Sequence, residues 1–299
     1  MTLRIGTAER DSTFLSQGQA LKTVLERNSA LAPVEVSISP TASVENANRL
    51  AAGDIDFGFM AANWIGRAKN GEAPFAQTID LRMAAPMNAG PLFFIARSDS
   101  NLRAVMDLRG RRLVVGPEKS GMAQHARVML GALGLTFADF VPVYLDFAAG
   151  ADALAQGDVD AQLQCPIPNK VMTALADRIA VRVLPYAPGD LEKVLRAVPF
   201  YRRIVMQQNA IRGLDAATAQ AAVVNVLVTH ARVAADTVRE VAAAIFAART
   251  ELPRLNALFA GLAELYEPLR SEGAAVLEFG GVALHEGALA AYRAAGLLR

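Results

Sequence analysis

The sequence predicts an α/β protein built as two similar lobes. Three observations predict it. Strand-like and helix-like segments alternate from the first residues, a pattern that argues a mainly parallel sheet. Two strand–turn–helix units, Val34–Leu50 and Arg111–Met122, place small hydroxyl residues at the turn. The run Gly53-Asp54-Ile55-Asp56-Phe57-Gly58 is echoed by Gly157-Asp158-Val159-Asp160-Ala161-Gln162, each following a helical stretch and leading into a strand. A chain of 299 residues is long enough for one large or two ordinary domains.

Leu3–Gly6 reads as the first strand and Thr7–Thr13 as a polar loop. Phe14–Arg27 is an amphipathic helix, with Phe14, Leu15, Gly18, Leu21 and Leu25 near one face. Pro33 resets the chain for a strand over Val34–Ser39. A helix follows over Ser43–Ala52, ended by Gly53 as its C-terminal cap. Asp54–Phe59 is a strand, and Ala61-Ala62-Asn63-Trp64 starts a helix closed by Lys69-Asn70-Gly71. Leu81–Ala85 and Pro91–Arg97 read as two further strands, and Ser98-Asp99-Ser100 as the crossing into a second lobe.

The theme then repeats. Arg111–Val115 is strand, Ser120–Leu133 helix, Phe140–Leu145 strand and Gly150–Gln156 helix. The strand over 157–162, a helix over Asn169–Asp177, a strand over Ile179–Leu184 and a helix over Leu191–Ala197 complete the lobe. Pro199-Phe200-Tyr201 begins the return. The tail reads as helical: Ala216–Val228 capped by Asp215, then Ala234–Arg249, Leu252–Phe259 and Glu286–Ala295. The expected lobes are 1–97 with 199–299, and 98–198, with a ligand cleft between them.

Composition excludes several function classes. Apolar content of 53% with 20% charge indicates a packed protein. A net charge of +1 with scattered arginines argues against a nucleic-acid partner. The single cysteine, Cys165, excludes an internal disulfide, and as a free cysteine it reads as a small buried hydrophobe. His125, His230 and His285 pair with nothing at metal-ligand spacing, so neither metal nor cofactor is expected. The apolar run Ala216–Val228 is too short to span a bilayer. No signal peptide is visible, because Met1–Gly6 already reads as strand.

The chemistry-bearing stretches are the turns. A helix start exposes unpaired backbone N–H groups at the positive end of its dipole and favours an anion. Ser120-Gly121-Met122 after Gly116 forms one such start, and Thr41-Ala42-Ser43 another. Gly116–Gly121 has the bracket of a nucleotide phosphate loop. Its lysine, Lys119, lies inside the bracket, and Met122-Ala123 replaces the Lys-Ser or Lys-Thr that such a loop needs. A plain strand–helix turn competes evenly with anion binding here. Thr41, Ser43 and Asn46 can equally cap their helix. In open α/β sheets ligands sit beyond the carboxyl ends of strands. Thr7, Asn63 and Gln164 occupy that place, as do Ser12, Thr13 and Gln162. Phe14, Trp64, Met122 and Phe200 offer apolar walls or core packing. Tyr201 with Arg202-Arg203 sits at the expected hinge, where an arginine can clamp a carboxylate. The pairs Asp54/Asp56 and Asp158/Asp160 could look catalytic, since residues two apart on a strand share a face. Their recurrence in equivalent places argues instead for a repeated turn leading into the strand.

Several of these segments together resemble a known family. They are Gly6-Thr7-Ala8, 41–46, 50–57, Asp107-Leu108-Arg109-Gly110 through Val115-Gly116, Ser120-Gly121, 157–161 and 284–292. The chain resembles the TAXI-type solute-binding proteins of TRAP transporters over nearly its whole length. Binding proteins for thiamine precursors and alkanesulfonates share the Asp-Leu-x-Gly-x-x-Val-x-Val-Gly pattern, and a receptor of that ABC-transporter kind is the alternative, beside an enzyme on the same scaffold. Phe14 stands where family members usually carry tyrosine, and Glu286 where they favour proline.

The resemblance implies two Rossmann-like α/β lobes joined by crossing hinge strands, the type II periplasmic binding protein fold. It implies a non-enzymatic, monomeric, extracytoplasmic receptor whose leader has been removed. Such a receptor closes on a small carboxylate and delivers it to a TRAP-type permease. The residues expected to bind are Thr7, Phe14, Thr41, Ala42, Ser43 and Asn63 from one lobe. Gly116, Ser120, Gly121, Met122 and Gln164 are expected from the other, with Tyr201 at the hinge.

Overall fold

The structure is a computed structural model that describes residues 2–10, 12–27, 30–118 and 120–299. Lys119, the lysine inside the glycine bracket, lies outside the described residues. The elements run β1 (Leu3–Gly6), α1 (Thr13–Leu25), β2 (Val34–Ser37), α2 (Ser43–Ala52), β3 (Phe57–Ala61), α3 (Ala62–Asn70) and β4 (Leu81–Arg97). Then come β5 (Arg112–Val114), α4 (Gly121–Ala132), β6 (Val141–Val143), α5 (Phe147–Gln156), β7 (Ala161–Gln164), α6 (Lys170–Arg178), β8 (Val181–Val183) and α7 (Asp190–Ala197). β9 (Tyr201–Met206), β10 (Thr218–His230) and α8 (Ala235–Ala247) follow, and after several short turns the helix Glu286–Ala294 ends the chain. The α/β fold expected from the alternation is present.

The chain divides into two compact units, Met1–Ala89 with Val224–Arg299, and Gly90–Val223. In the first, β1 lies between β2 and β3 and is parallel to both, with Leu3 opposite Val34 and Ile5 opposite Phe57. The last part of β10 runs antiparallel to β3, placing Thr229 opposite Phe57 and Asn225 opposite Ala61. α1 packs on β2 and α8, and α8 packs on Glu286–Ala294. Ile5, Leu21, Leu25, Phe57 and Phe59 are fully buried, each worth roughly 1.5–3 kcal/mol of transfer free energy. In the second unit β5 lies between β6 and β7, parallel to both. β7 pairs antiparallel with the last part of β4, Phe93 opposite Gln164. Phe93, Ile95, Val114, Leu154, Met172 and Leu175 form its core.

The repeated Gly-Asp-apolar-Asp run has one structural meaning in both units. Gly53 and Gly157 end α2 and α5 in the left-handed region, at φ 85° and 83°. The second aspartate of each run then grips a neighbouring strand, β1 in the first unit and β5 in the second. Asp56 accepts from the Arg4 backbone N–H at 2.9 Å and from its guanidinium at 2.8 Å. Asp160 accepts from the Arg112 N–H at 2.7 Å and from its guanidinium at 2.9 Å. The Arg112 guanidinium holds the Asp160 carboxyl below the usual carboxylate range. These aspartates align parallel strands; they are not catalytic pairs. Because the Asp56 side chain is 9% exposed and that of Asp160 29%, Asp56→Ala costs about 2–3 kcal/mol and Asp160→Ala clearly less. Equal losses in urea unfolding would contradict this ordering.

Three expectations are corrected. Ala216–Val228 is not a helix capped by Asp215; it is most of β10. Buried on both faces, a strand reads as an unbroken apolar run with no period to betray it, and Val223, Val224, Val226 and Val228 favour extended backbone. Leu81–Ala85 and Pro91–Arg97 are one strand, since the fixed φ of Pro86 and Pro91 suits an extended chain. The passages between units lie inside β4, after Ala89, and inside β10, after Val223, rather than at the polar turn 98–100 or at 199–201. Tyr201 instead opens β9, which pairs antiparallel with β10, opposite Val223.

Candidate functional site

At the carboxyl end of the first unit's sheet, strand ends and helix starts are stitched by side chains. Asn46, one turn into α2 and fully buried, donates to the carbonyls of Thr7 (2.7 Å) and Phe59 (2.9 Å) and accepts from the Ser39 hydroxyl (2.6 Å). It therefore ties the ends of β1 and β3 to the chain leaving β2. Gly6 makes room for it, since a Cβ there would stand 2.3 Å from the Asn46 Oδ1. Thr7 is fully buried, and both its N–H (3.0 Å) and its hydroxyl (2.8 Å) donate to the Ser37 carbonyl. Phe14 is core, its ring 5.4 Å from that of Phe59.

The start of α2 is different. Ala42, its N-cap, has φ 47° and ψ −115°, and no side chain caps the helix. Ala42 and Asn209 are the non-glycine residues with positive φ among those described, a conformation that costs on the order of 1 kcal/mol or more and is kept where surrounding structure demands it. Ser43 does not cap either: its Oγ accepts the Ala61 N–H at 3.1 Å, which leaves its own hydrogen to donate. Thr41 is exposed, and its N–H donates to Glu45 at 3.2 Å. Asn63, in the first turn of α3, is half-buried with its Oδ1 enclosed and without a partner among the described residues.

In the second unit the turn after β5 is compact. Gly116 sits at φ 94°, where a Cβ would meet the Met122 Cβ at 2.6 Å and the Ser120 Oγ at 3.0 Å. Ser120 caps α4, accepting the Ala123 N–H at 3.2 Å. The N–H groups of Gly121 and Met122 have no intrahelical acceptor by their position, and the space a Cβ on Gly121 would enter is open. Gln164 is fully buried at the end of β7. Its Oε1 accepts from Asn169 at 3.0 Å, while its Nε2 has no partner among the described residues. Tyr201 is 2% exposed, and its hydroxyl lies 2.6 Å from the Nδ1 of His125, so one hydrogen is shared between them. Burial lowers the His125 imidazole to about 4 and raises the Tyr201 hydroxyl. The Cys165 thiol is pushed up to about 12 by burial, which removes it as a nucleophile near neutral pH.

Two of the expected binding residues, Phe14 and Tyr201, are thus core groups with partners of their own, and the Thr7 hydroxyl is spent on a neighbouring strand. The start of α2, Asn63, the Ser120 turn and Gln164 keep free donors or acceptors. Reading the sequence missed a polar set in the first unit: buried Gln17 on α1, buried Asn88 on β4 and half-buried Asn225 on β10. Gln17 and Asn225 both donate to the Asn88 Oδ1 at 3.2 Å. A lone asparagine inside each apolar strand was the available signal. Among the described residues no group of His, Cys, Asp and Glu is arranged to hold a metal, and no helix is long and apolar enough to cross a membrane.

The fold is that of known binding proteins. It matches the periplasmic aliphatic sulphonate binding protein SsuA from Escherichia coli with a TM-score of 0.52 at 20% identity, covering 99% of this chain and 88% of that one. A TctC solute binding protein from Polaromonas matches with a TM-score of 0.59 at 14% identity, covering 88% of each chain. At such identities the likeness concerns the fold. The family follows from the sequence itself: a family model matches residues 5–296, and the chain belongs to the NMT1-like family.

Proposed function

We propose that this protein is an extracytoplasmic solute receptor that binds one small organic anion and delivers it to a membrane permease. Family membership and the shared fold support a receptor, since the Escherichia coli protein is a periplasmic sulphonate binder and the Polaromonas protein a solute binder. A carboxylate ligand, an amino acid or dicarboxylate for example, and a TRAP-type permease are the finer form of the proposal, resting on the TAXI-like motifs. An ABC-type permease is the alternative that the sulphonate binder's fold favours. The proposed receptor turns nothing over.

The observation that carries the reading is the start of α2. A helix whose N-cap is an alanine at φ 47°, with no side-chain cap, spends the Val44 N–H on the Thr41 carbonyl at 3.3 Å and leaves the Ser43 and Glu45 N–H groups without an intrahelical acceptor by their position. An anion satisfies them and gains from the helix dipole. In the proposed complex the ligand's oxygens take these N–H groups and the Ser43 hydroxyl from one unit. The Gly121 and Met122 N–H groups of the second unit offer an anion the same chemistry. Burial of the ligand's oxygens excludes water and strengthens those bonds.

The experiment is native mass spectrometry of the purified protein, followed by a thermal-shift panel of organic acids. A solute at 100 times its Kd adds about 2.7 kcal/mol, several degrees in Tm for a protein of this size. Ser120→Asp tests the turn of the second unit. Aspartate caps a helix as well as serine does, so the fold is kept, while its charge repels an anion and should weaken binding at least tenfold. Unchanged affinity would remove the Ser120 turn from the site, and conversion of an added compound would sink the receptor reading.

A further inference from the structure

The first unit carries four carboxamides at the carboxyl end of β3, and they bear on what the solute must look like. Asn225 stands opposite Ala61, the last residue of β3, and Asn63 follows two residues later. Gln17 and Asn225 both donate to the Oδ1 of Asn88. Gln17 is fully buried and Asn88 is 4% exposed. Side chains from α1, β4 and β10 meet there, where a core would carry aliphatic groups. Two atoms of the four carboxamides, the Oε1 of Gln17 and the Oδ1 of Asn63, are buried without a partner among the described residues.

Buried polar atoms are nearly always paired, and an orphaned acceptor costs the full desolvation of the group. Both orphans are carbonyl oxygens. A carboxylate placed against them would add repulsion between lone pairs. An ammonium would need a buried counter-charge. Among the described carboxylates nearest in sequence to these turns, Glu9 is exposed and Glu45 accepts the Thr41 N–H. A neutral group with N–H or O–H hydrogens meets both requirements.

Resting on the receptor reading above, we infer that the solute is an organic acid whose far end is a neutral hydrogen-bond donor, a carboxamide above all, and that the Gln17 and Asn63 carbonyls select it. Dicarboxylates and ω-amino acids are then rejected at this subsite, the first for want of hydrogens and the second for want of a counter-ion.

The test uses the whole chain and three acids of equal length: succinamate, succinate and 4-aminobutyrate. Calorimetric titration should give succinamate at least tenfold tighter than either of the others. In Gln17→Met, whose side chain has similar volume and no carbonyl, that preference should shrink to about twofold while succinate affinity stays within a factor of two. Equal or tighter binding of succinate or 4-aminobutyrate overturns the inference and leaves the receptor standing. If none of the three binds, the receptor reading loses these anions, and the melting of the ligand-free protein decides the inference by itself. An acceptor kept for a ligand is a liability without it, so Gln17→Met should melt at the same temperature as the wild type or higher. A fall of several degrees shows that the carboxamides are purely structural and overturns it.

Discussion

Replacing Asn46 by leucine lowers the stability of the first unit by about 3–4 kcal/mol. The side chain makes three hydrogen bonds of 2.6–2.9 Å to the Thr7 and Phe59 carbonyls and the Ser39 hydroxyl. Leucine fits the volume, so the loss is not a cavity effect. It comes from two main-chain carbonyls and a hydroxyl stranded where water cannot reach them, each costing about 1–3 kcal/mol. Arg49 also donates to the Ser39 Oγ at 2.7 Å and to the Ser37 Oγ at 2.9 Å, so part of the network survives and the costs do not simply add. Urea unfolding with hydrogen exchange at the β1 and β3 amides gives the number and locates it. A loss below about 1 kcal/mol would mean the strand ends hold without their tie. Ligand affinity should fall as well, because Asn46 sets where the start of α2 stands relative to β1 and β3.

Acidification from pH 6.5 to 4 removes about 3 kcal/mol from the second unit through His125 alone. The imidazole is 8% exposed, beside Tyr201 and Phe200, and desolvation lowers its folded value to about 4 from 6.5. A basic group with a depressed folded value is neutral in the native state while the unfolded chain takes up a proton. Its contribution is fully present above pH 6.5 and is lost as the pH falls towards 4. The carboxylates held low by their donors, Asp107, Asp139 and Asp160 among them, lose their contributions below the usual carboxylate range, later in the same titration. His125→Gln separates the two, since glutamine still offers the Tyr201 hydroxyl a partner and does not titrate. The stability difference between wild type and variant should shrink by about 3 kcal/mol between pH 7 and pH 4. Parallel curves would show that His125 is solvated or protonated in the folded protein.

The two echoed Gly-Asp runs show what a sequence can reveal. Their residues act on neighbours nearby in the fold in a stereotyped way: a left-handed glycine ends a helix, and a carboxylate grips the N–H and guanidinium of an adjacent strand. Spacing identified the acidic pairs as a repeated turn leading into a strand, and the structure added the arginine that each second aspartate grips. The Ser120 cap of α4, the Asn169 cap of α6 and the His285 cap of the last helix are equally local. So is the alternation that makes the parallel part of each sheet.

β10 shows the limit. An alanine- and valine-rich run has no period when both faces are buried, and only its pairing with β3 and β9 makes it a strand. The roles of the polar residues were beyond reach for the same reason. Thr7, Ser43 and Asn46 carry similar chemistry within one neighbourhood. The first spends its hydrogens on Ser37, the last is consumed in tying strands, and only Ser43 keeps a hydrogen to give. Nor does any spacing connect Gln17, Asn88 and Asn225. By itself the sequence determined the α/β class, the Ser120 start of α4 and the repeated Gly-Asp turn, because those depend on residues adjacent in the chain. Which polar groups remain unspent was decided by tertiary structure, since a hydrogen bond is satisfied or orphaned only by what the distant chain brings to it.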